Sequence, residues 1–204
     1  DFINIPQDSL LDKAYLSDRM LSFSFDQASR SLDINPGNII WEESEETTHY
    51  SILDPMGNAV AVTTTLNGSY GSKVFIESGG YFLNNEMDDF SSKPGVPNMF
   101  GLIGGKANAI APEKRMLSAM TPTIVEKNGK LSMIVGTPGG STIITSVLQT
   151  ILNVYEFGMD MQEAVSAARF HHQWLPDVVV LEPQQFDSLL IQKLQVKGYD
   201  IKEE

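Results

Sequence analysis

The chain has 204 residues, 42% of them hydrophobic, and a formal net charge of −12 at pH 7. That size and hydrophobicity suit a single sizeable core and exclude a disordered chain, while the acidic balance argues against nucleic acid or an anionic membrane surface as a partner. Cysteine is absent, which excludes a disulfide framework and a thiolate metal site, and no apolar run approaches the roughly 18 residues of a membrane span.

The first 46 residues read as an irregular or helical lead-in. Asp8 is placed to cap a short helix over Ser9–Leu16, a second helix is expected over 17–30, and Asn35-Pro36-Gly37-Asn38 is a turn signal. Glu42–Glu46 is an acidic, solvated run. The start shows no signal-peptide pattern, and both ends are expected to be cuts in a longer protein.

From Thr48 the hydrophobic period changes to two. His49, Ser51 and Leu53 fall on one strand face, Tyr50 and Ile52 on the other. Asp54-Pro55-Met56-Gly57-Asn58 is a turn, and the β-branched run Ala59–Leu66 returns as the second strand of a hairpin. Short strands are expected at Val74–Ile76 and Gly80–Leu83, then a long loop over 91–111. Asn128-Gly129 between apolar alternations predicts a second hairpin over 122–136. A helix follows Ser141 with Ile143, Ile144, Val147, Leu148, Ile151 and Leu152 on one side, and another lies near 160–168 with Met161, Ala164, Val165 and Ala168. A buried strand at Val178–Leu181 and an amphipathic helix over 186–196, closed by Gly198, complete an α+β chain of sheets covered by helices.

Four clusters could carry chemistry. Thr47 follows Glu45-Glu46 at a strand start. A threonine hydroxyl is a poor nucleophile unless a base takes its proton. Cutting the bond before Thr47 would create an α-amine beside it with a pKa near 7.7–8.0. The bland reading is a β-forming residue. Thr137-Pro138-Gly139-Gly140-Ser141 joins a strand to a helix, where glycine N–H groups can bind an anion or oxyanion; a tight turn is the equally good alternative, and Ser141 reads as an N-cap. Asn84–Asp89 holds three carboxylates, Glu86, Asp88 and Asp89, which could bind a substrate ammonium or Ca²⁺ or form a polar loop. His171-His172 reads as a packed or capping pair in preference to metal ligands.

With these pieces in place, the chain from about Trp41 onward resembles the γ-glutamyltranspeptidases of the N-terminal-nucleophile hydrolase superfamily. The strings that carry the resemblance are Glu46-Thr47-Thr48-His49-Tyr50-Ser51, Leu83–Phe90, Pro94-Gly95-Val96-Pro97-Asn98, Pro138-Gly139-Gly140-Ser141 and Arg169–Pro176. The resemblance implies an αββα sandwich, incomplete in this chain, and a precursor cut between Glu46 and Thr47. Residues 1–46 would be the tail of a large subunit, and 47–204 a small catalytic subunit truncated at its C-terminus. It also implies a γ-glutamyl donor such as glutathione, an amino-acid, peptide or water acceptor, no cofactor or metal, and a periplasmic or extracellular location. By the same resemblance Thr47 is the nucleophile and Thr65 supports it. Gly139 and Gly140 form the oxyanion hole, and Asn67, Glu86 and Asp89 hold the donor's α-amino group. Ser118 holds its α-carboxylate, and loop 91–105 is a lid. The remainder of the large subunit, partner to this chain, would supply an arginine for that carboxylate.

These roles make physical sense, because a zwitterionic glutamyl end needs acceptors for its ammonium and donors for its carboxylate. One departure stands out: where the family usually reads Ser-Ser-Met, this chain reads Ser118-Ala119-Met120. One hydroxyl donor is lost, about 0.5–1.5 kcal/mol if that bond was made. As an isolated piece the chain is expected to be inactive or to oligomerise through exposed sheet edges. The competing readings are an acylase for glutaryl-type amides, a non-catalytic uncleaved domain, and a Ca²⁺-binding loop protein.

Overall fold

The computed structural model describes residues 7–34, 47–93, 105–173 and 176–203. The expected turn at 35–38, the acidic run with Glu46, most of the expected lid and Trp174-Leu175 lie outside the described residues.

The lead-in forms two short helices, α1 (Gln7–Leu11) and α2 (Lys13–Arg19). Asp12, and not Asp8, is the effective cap: its carboxylate accepts the Tyr15 N–H at 2.8 Å. The helix expected over 17–30 stops at Arg19. Ser24 explains part of the stop, since its Oγ takes the N–H groups of Asp26 and Gln27 at 3.1 and 3.3 Å, a local alternative to helix hydrogen bonds.

β1 (Thr47–Leu53) and β2 (Ala59–Thr65) form the first hairpin, in register from Thr47↔Thr65 to Leu53↔Ala59. Its turn is held by Asp54, whose carboxylate accepts Met56 N–H at 2.9 Å, Asn58 N–H at 2.8 Å and the Asn58 side-chain amide at 2.7 Å. β3 (Phe75–Ile76) and β4 (Tyr81–Phe82) make a small second hairpin. β5 (Thr123–Lys127) and β6 (Lys130–Val135) make a third, turned by Asn128 and Gly129, both at positive φ.

α3 (Thr142–Tyr155) covers this last hairpin. Met133 and Val135 of β6 pack with Ile143 and Val147 of α3, and Val125, Met120, Ile151, Val154 and Tyr155 close around them. The helix does not bury the whole expected side. The i, i+4 row through Ile143, Val147 and Ile151 faces β6, whereas Ile144 and Leu148, one residue or about 100° round the helix, are 50% and 53% exposed. α4 (Met161–Ser166) is capped by Asp160 with Glu163 reaching back, and buries only Ala164 of its expected apolar residues.

β7 (Phe170–His171), β8 (Val179–Leu181) and β9 (Ile201–Glu203) form a three-stranded sheet. β7 and β8 are antiparallel; β8 and β9 are parallel, joined through α5 (Ser188–Val196). Residues upstream of β1 dock on this unit: Ser31 donates through its amide and its hydroxyl to Asp177, each at 2.7 Å, and Ala28 N–H reaches the Lys197 carbonyl at 2.8 Å. Among the described residues the architecture is therefore α+β, with four small sheets, β2 lying against β5 and β6, and α3 behind the latter.

Candidate functional site

The first hairpin places the candidate nucleophile. Strand pairing sets Thr47 directly across from Thr65, and the same face carries His49 opposite Thr63. His49 bonds Thr63 Oγ1 through Nδ1 at 2.8 Å and Ser51 Oγ through Nε2 at 3.1 Å. The His49 ring lies over Gly136, where any Cβ would overlap it. The end of β6 therefore crosses the hairpin face that bears Thr47 and Thr65, and the strand leads from there into Gly139-Gly140.

Those two glycines sit at φ 127° and 53°, both outside the range that other residues adopt easily. A Cβ on Gly139 would also lie 2.6 Å from Thr142 Oγ1. The Gly139 carbonyl is turned toward α3, accepting Thr142 N–H at 3.0 Å and Thr142 Oγ1–H at 2.7 Å. Among the described residues neither the Gly139 nor the Gly140 N–H has an acceptor.

Ser141 does not cap α3 as expected. Its hydroxyl donates to Gln173 Oε1 at 2.6 Å and lies 3.4 Å from His171 Nε2. His171 is buried, with Gln173 Oε1 at 2.9 Å from Nε2 and Thr145 Oγ1 at 2.8 Å from Nδ1. Burial lowers its pKa, and the neighbouring His172 adds to that effect against the Gln173 bond. His171 is packed and ties the glycine turn to β7, whereas His172 is partly exposed and lies 3.3 Å from Asp177.

The C-terminal end of β2 leads from Thr65 toward the acidic turn. Thr65 Oγ1 accepts the Asn67 N–H at 2.9 Å, and Asn67 adopts φ 75° to make that turn. Asn67 is 8% exposed; its amide donates to the Asn85 carbonyl at 3.3 Å, and Gly68 N–H reaches Asn85 Oδ1 at 2.9 Å. Asn85 returns its own N–H to the Leu66 carbonyl at 3.1 Å. Immediately after Asn85, Glu86–Asp89 forms a turn of 3₁₀-helix. Strand pairing and these bonds bring Thr47, Thr65, Asn67 and the Glu86–Asp89 turn into one connected unit.

Asp89 is half-buried, and its pKa rises to about 6 through burial, then through the charges of Glu86 and Asp88. A carboxylate so strained by its neighbours gains most from a cation brought among them. Ser118 stands apart: it is exposed, its Oγ accepts a local bond from Met120 N–H at 3.2 Å, and among the described residues no hydrogen bond joins it directly to the acidic turn. Asn85 carried no role of its own in the sequence. It stands beside Asn84 in the acidic string, and its side-chain oxygen accepts the N–H of Gly68, 17 residues away. Among the described residues no group of three or more His, Asp or Glu is placed to hold a metal ion, and no helix is long and apolar enough to cross a membrane.

A threonine at a strand start, facing a second strand and near a glycine turn, with a helix packed over a sheet, fits the fold of the N-terminal-nucleophile hydrolases. The chain is similar to a cephalosporin acylase of Bacillus halodurans with a TM-score of 0.78, covering 99% of this chain and 33% of that one at 23% identity, a likeness of fold alone. A model of the γ-glutamyltranspeptidase family matches residues 1–204. The chain is 48% identical over 201 residues to the glutathione hydrolase proenzyme of Escherichia coli K12, which covers 98% of this chain and 34% of that protein. It is 55% identical to a Helicobacter pylori γ-glutamyltranspeptidase mutant of known crystal structure, with a TM-score of 0.74 over 77% of this chain and 84% of that one. This chain belongs to the γ-glutamyltranspeptidase family. It spans about a third of the length of the curated relatives it matches.

Proposed function

We propose that the chain is the catalytic part of a γ-glutamyltransferase and glutathione hydrolase that matures by cutting itself at Glu46–Thr47. Residues 1–46 then belong to the tail of a large subunit and 47–204 to the small one. The observation that carries this reading is the pairing of Thr47 with Thr65, continued through Asn67 and Asn85 into the Glu86–Asp89 turn. Family membership adds to it, and the E. coli relative is named a proenzyme.

In maturation Thr47 Oγ attacks the Glu46 carbonyl carbon. The C–N bond breaks and an ester forms; water opens the ester and leaves a Glu46 carboxylate and a free Thr47 amine. In catalysis that amine takes the Thr47 hydroxyl proton while Oγ attacks the γ-carbonyl carbon of a glutathione-like donor. The Gly139 and Gly140 N–H groups stabilise the oxyanion. The leaving amine departs with the proton, and water or an amino-acid or peptide amine resolves the acyl-enzyme. Asn67, Glu86 and Asp89 hold the donor ammonium, and Ser118 donates to its carboxylate together with an arginine from the rest of the precursor. A periplasmic or extracellular location belongs to the same proposal and rests on the family resemblance. The ammonium site favours this reading over a glutaryl acylase, since a glutaryl group carries no amine.

The test is the intact mass of the full-length precursor beside its Thr47→Ala variant, with γ-glutamyl anilide turnover. Two pieces dividing at Glu46–Thr47 in the wild type, one in the variant, and turnover only in the former are expected. An uncut, inactive wild-type precursor would overturn the reading.

A further inference from the structure

The two loops that the proposed function assigns to the donor's charged ends are joined by one side chain that contacts neither charge. Asn108 donates through Nδ2 to the Asp89 carbonyl at 2.7 Å and accepts the Leu117 N–H on Oδ1 at 2.9 Å. Its own carbonyl accepts the Ser91 N–H at 2.9 Å, two residues past Asp89. Lys114 Nζ donates to the carbonyls of Ala107 and Ala109, on either side of it. Donor and acceptor sit on one planar amide, so the two main-chain segments are held at the width of that group. One segment carries the Asp89 carboxylate; the other continues directly into Ser118.

We propose that Asn108 is a positioning residue that sets the spacing between the ammonium and carboxylate contacts of the donor, and so selects an α-amino acid at the acyl end. The inference rests on the γ-glutamyl reading. The two charged groups of an α-amino acid hang from one carbon. A site that reads both must therefore hold its two arms at a fixed separation, and a displacement of about 1 Å can cost on the order of 10²-fold. Asn108 makes all its bonds to main chain, so it moves the arms together without altering their chemistry. Ala119 sharpens its importance, because with one serine hydroxyl in place of two the carboxylate arm relies on the placement of Ser118.

The experiment uses the full-length protein with Asn108→Ala and Asn108→Asp, assayed on γ-L-glutamyl anilide and on glutaryl anilide, which lacks the amine. Intact mass follows cleavage at Glu46–Thr47, and thermal unfolding is recorded alongside. In Asn108→Ala we expect KM for the glutamyl donor to rise about tenfold with kcat within about threefold, the size of one or two lost hydrogen bonds. Activity on the glutaryl donor should be unchanged. Asn108→Asp keeps the Leu117 bond and loses the one to Asp89; it should show the same split, and it decides the matter if Asn108→Ala does not fold. Equal losses on both donors, or a fall in kcat at constant KM, would overturn the inference while leaving the γ-glutamyl reading intact. A wild type that cleaves itself but turns over neither donor removes that reading and this one with it.

Discussion

Thr47 and Thr65 are opposite one another at the open end of the first hairpin, and Thr65 Oγ1 accepts the Asn67 N–H at 2.9 Å. The residue across from Thr47 therefore also starts the turn that leads to the acidic Glu86–Asp89 turn. Thr65→Val preserves shape and β-branching but removes the acceptor. It should slow self-cleavage and γ-glutamyl turnover at least tenfold and lower stability by about 1 kcal/mol. Thr65→Ser should restore most of both. Wild-type cleavage in Thr65→Val, read by intact mass, would take Thr65 out of maturation.

Asp89 governs a pH response in two opposite senses. Its folded pKa of about 6 lies above the ordinary 3.8, so between those values the folded chain binds its proton more readily than the unfolded one. This group's contribution to stability thus improves as pH falls through 6, and it is unfavourable above. The proposed ammonium role needs the charge, so KM for a γ-glutamyl donor should climb as pH falls below 6. Asp89→Asn should raise the melting temperature at pH 7.5 and raise KM tenfold or more, the scale of a hydrogen bond to a charged group. An Asp89→Asn protein with unchanged KM would contradict the ammonium role.

Gly139→Ala meets two obstacles, a φ of 127° and a Cβ 2.6 Å from Thr142 Oγ1. Relief would rotate the turn whose N–H groups the proposed function assigns to the oxyanion. A kcat loss of roughly 10²–10³-fold is expected, the cost of one oxyanion donor. KM should change little, because the proposed function binds the donor's charged ends elsewhere. Steady-state kinetics on a γ-glutamyl anilide separates the two.

Ala119→Ser returns a hydroxyl beside Ser118. If that hydroxyl reaches the donor carboxylate, KM should fall about 2- to 12-fold, the equivalent of 0.5–1.5 kcal/mol. An unchanged KM would show that Ser118 alone suffices.

Ser31 and Asp177 tie the lead-in to the β7–β8–β9 sheet by two bonds of 2.7 Å, with His172 Nε2 3.3 Å from the same carboxylate. Burial pushes the Asp177 pKa up, but the Ser31 hydroxyl and amide and then His172 outweigh it and hold the value below the ordinary 3.8. The stabilisation is thus present above pH 3.8 and lost as pH falls through the lowered pKa. Asp177→Ala leaves the buried Ser31 hydroxyl and amide without these acceptors, and should cost about 1–3 kcal/mol. In the cleaved protein it should also speed loss of the upstream piece, which gel filtration would follow. A variant as stable and as tightly associated as the wild type would show that the clasp is incidental.

Both long hairpins were legible because their signals are local. Asn128-Gly129 and Asp54-Pro55-Met56-Gly57 fit particular turns, and β-branched runs flank them. The helix expected over 17–30 ends at Arg19, and further on Ser24 Oγ takes the N–H groups of Asp26 and Gln27 away from helix bonding. Ser141 departed from its capping role because His171 and Gln173, distant in sequence, claim its hydroxyl. On α3 the sequence shows two adjacent apolar rows but not which of them meets β6.

The amino-acid sequence by itself determined the family, the hairpin carrying Thr47 and the residue types at the site. Period, turn chemistry and motif strings are properties of short stretches. Only the tertiary structure decided that Thr47 faces Thr65, that Gly136 lies beneath His49, and that Asn85 and Asn108 bond loops on either side of the acidic turn to it. Such links are single hydrogen bonds or contacts between residues far apart in the chain. They follow no period, and only the folded geometry selects one asparagine among many to make them.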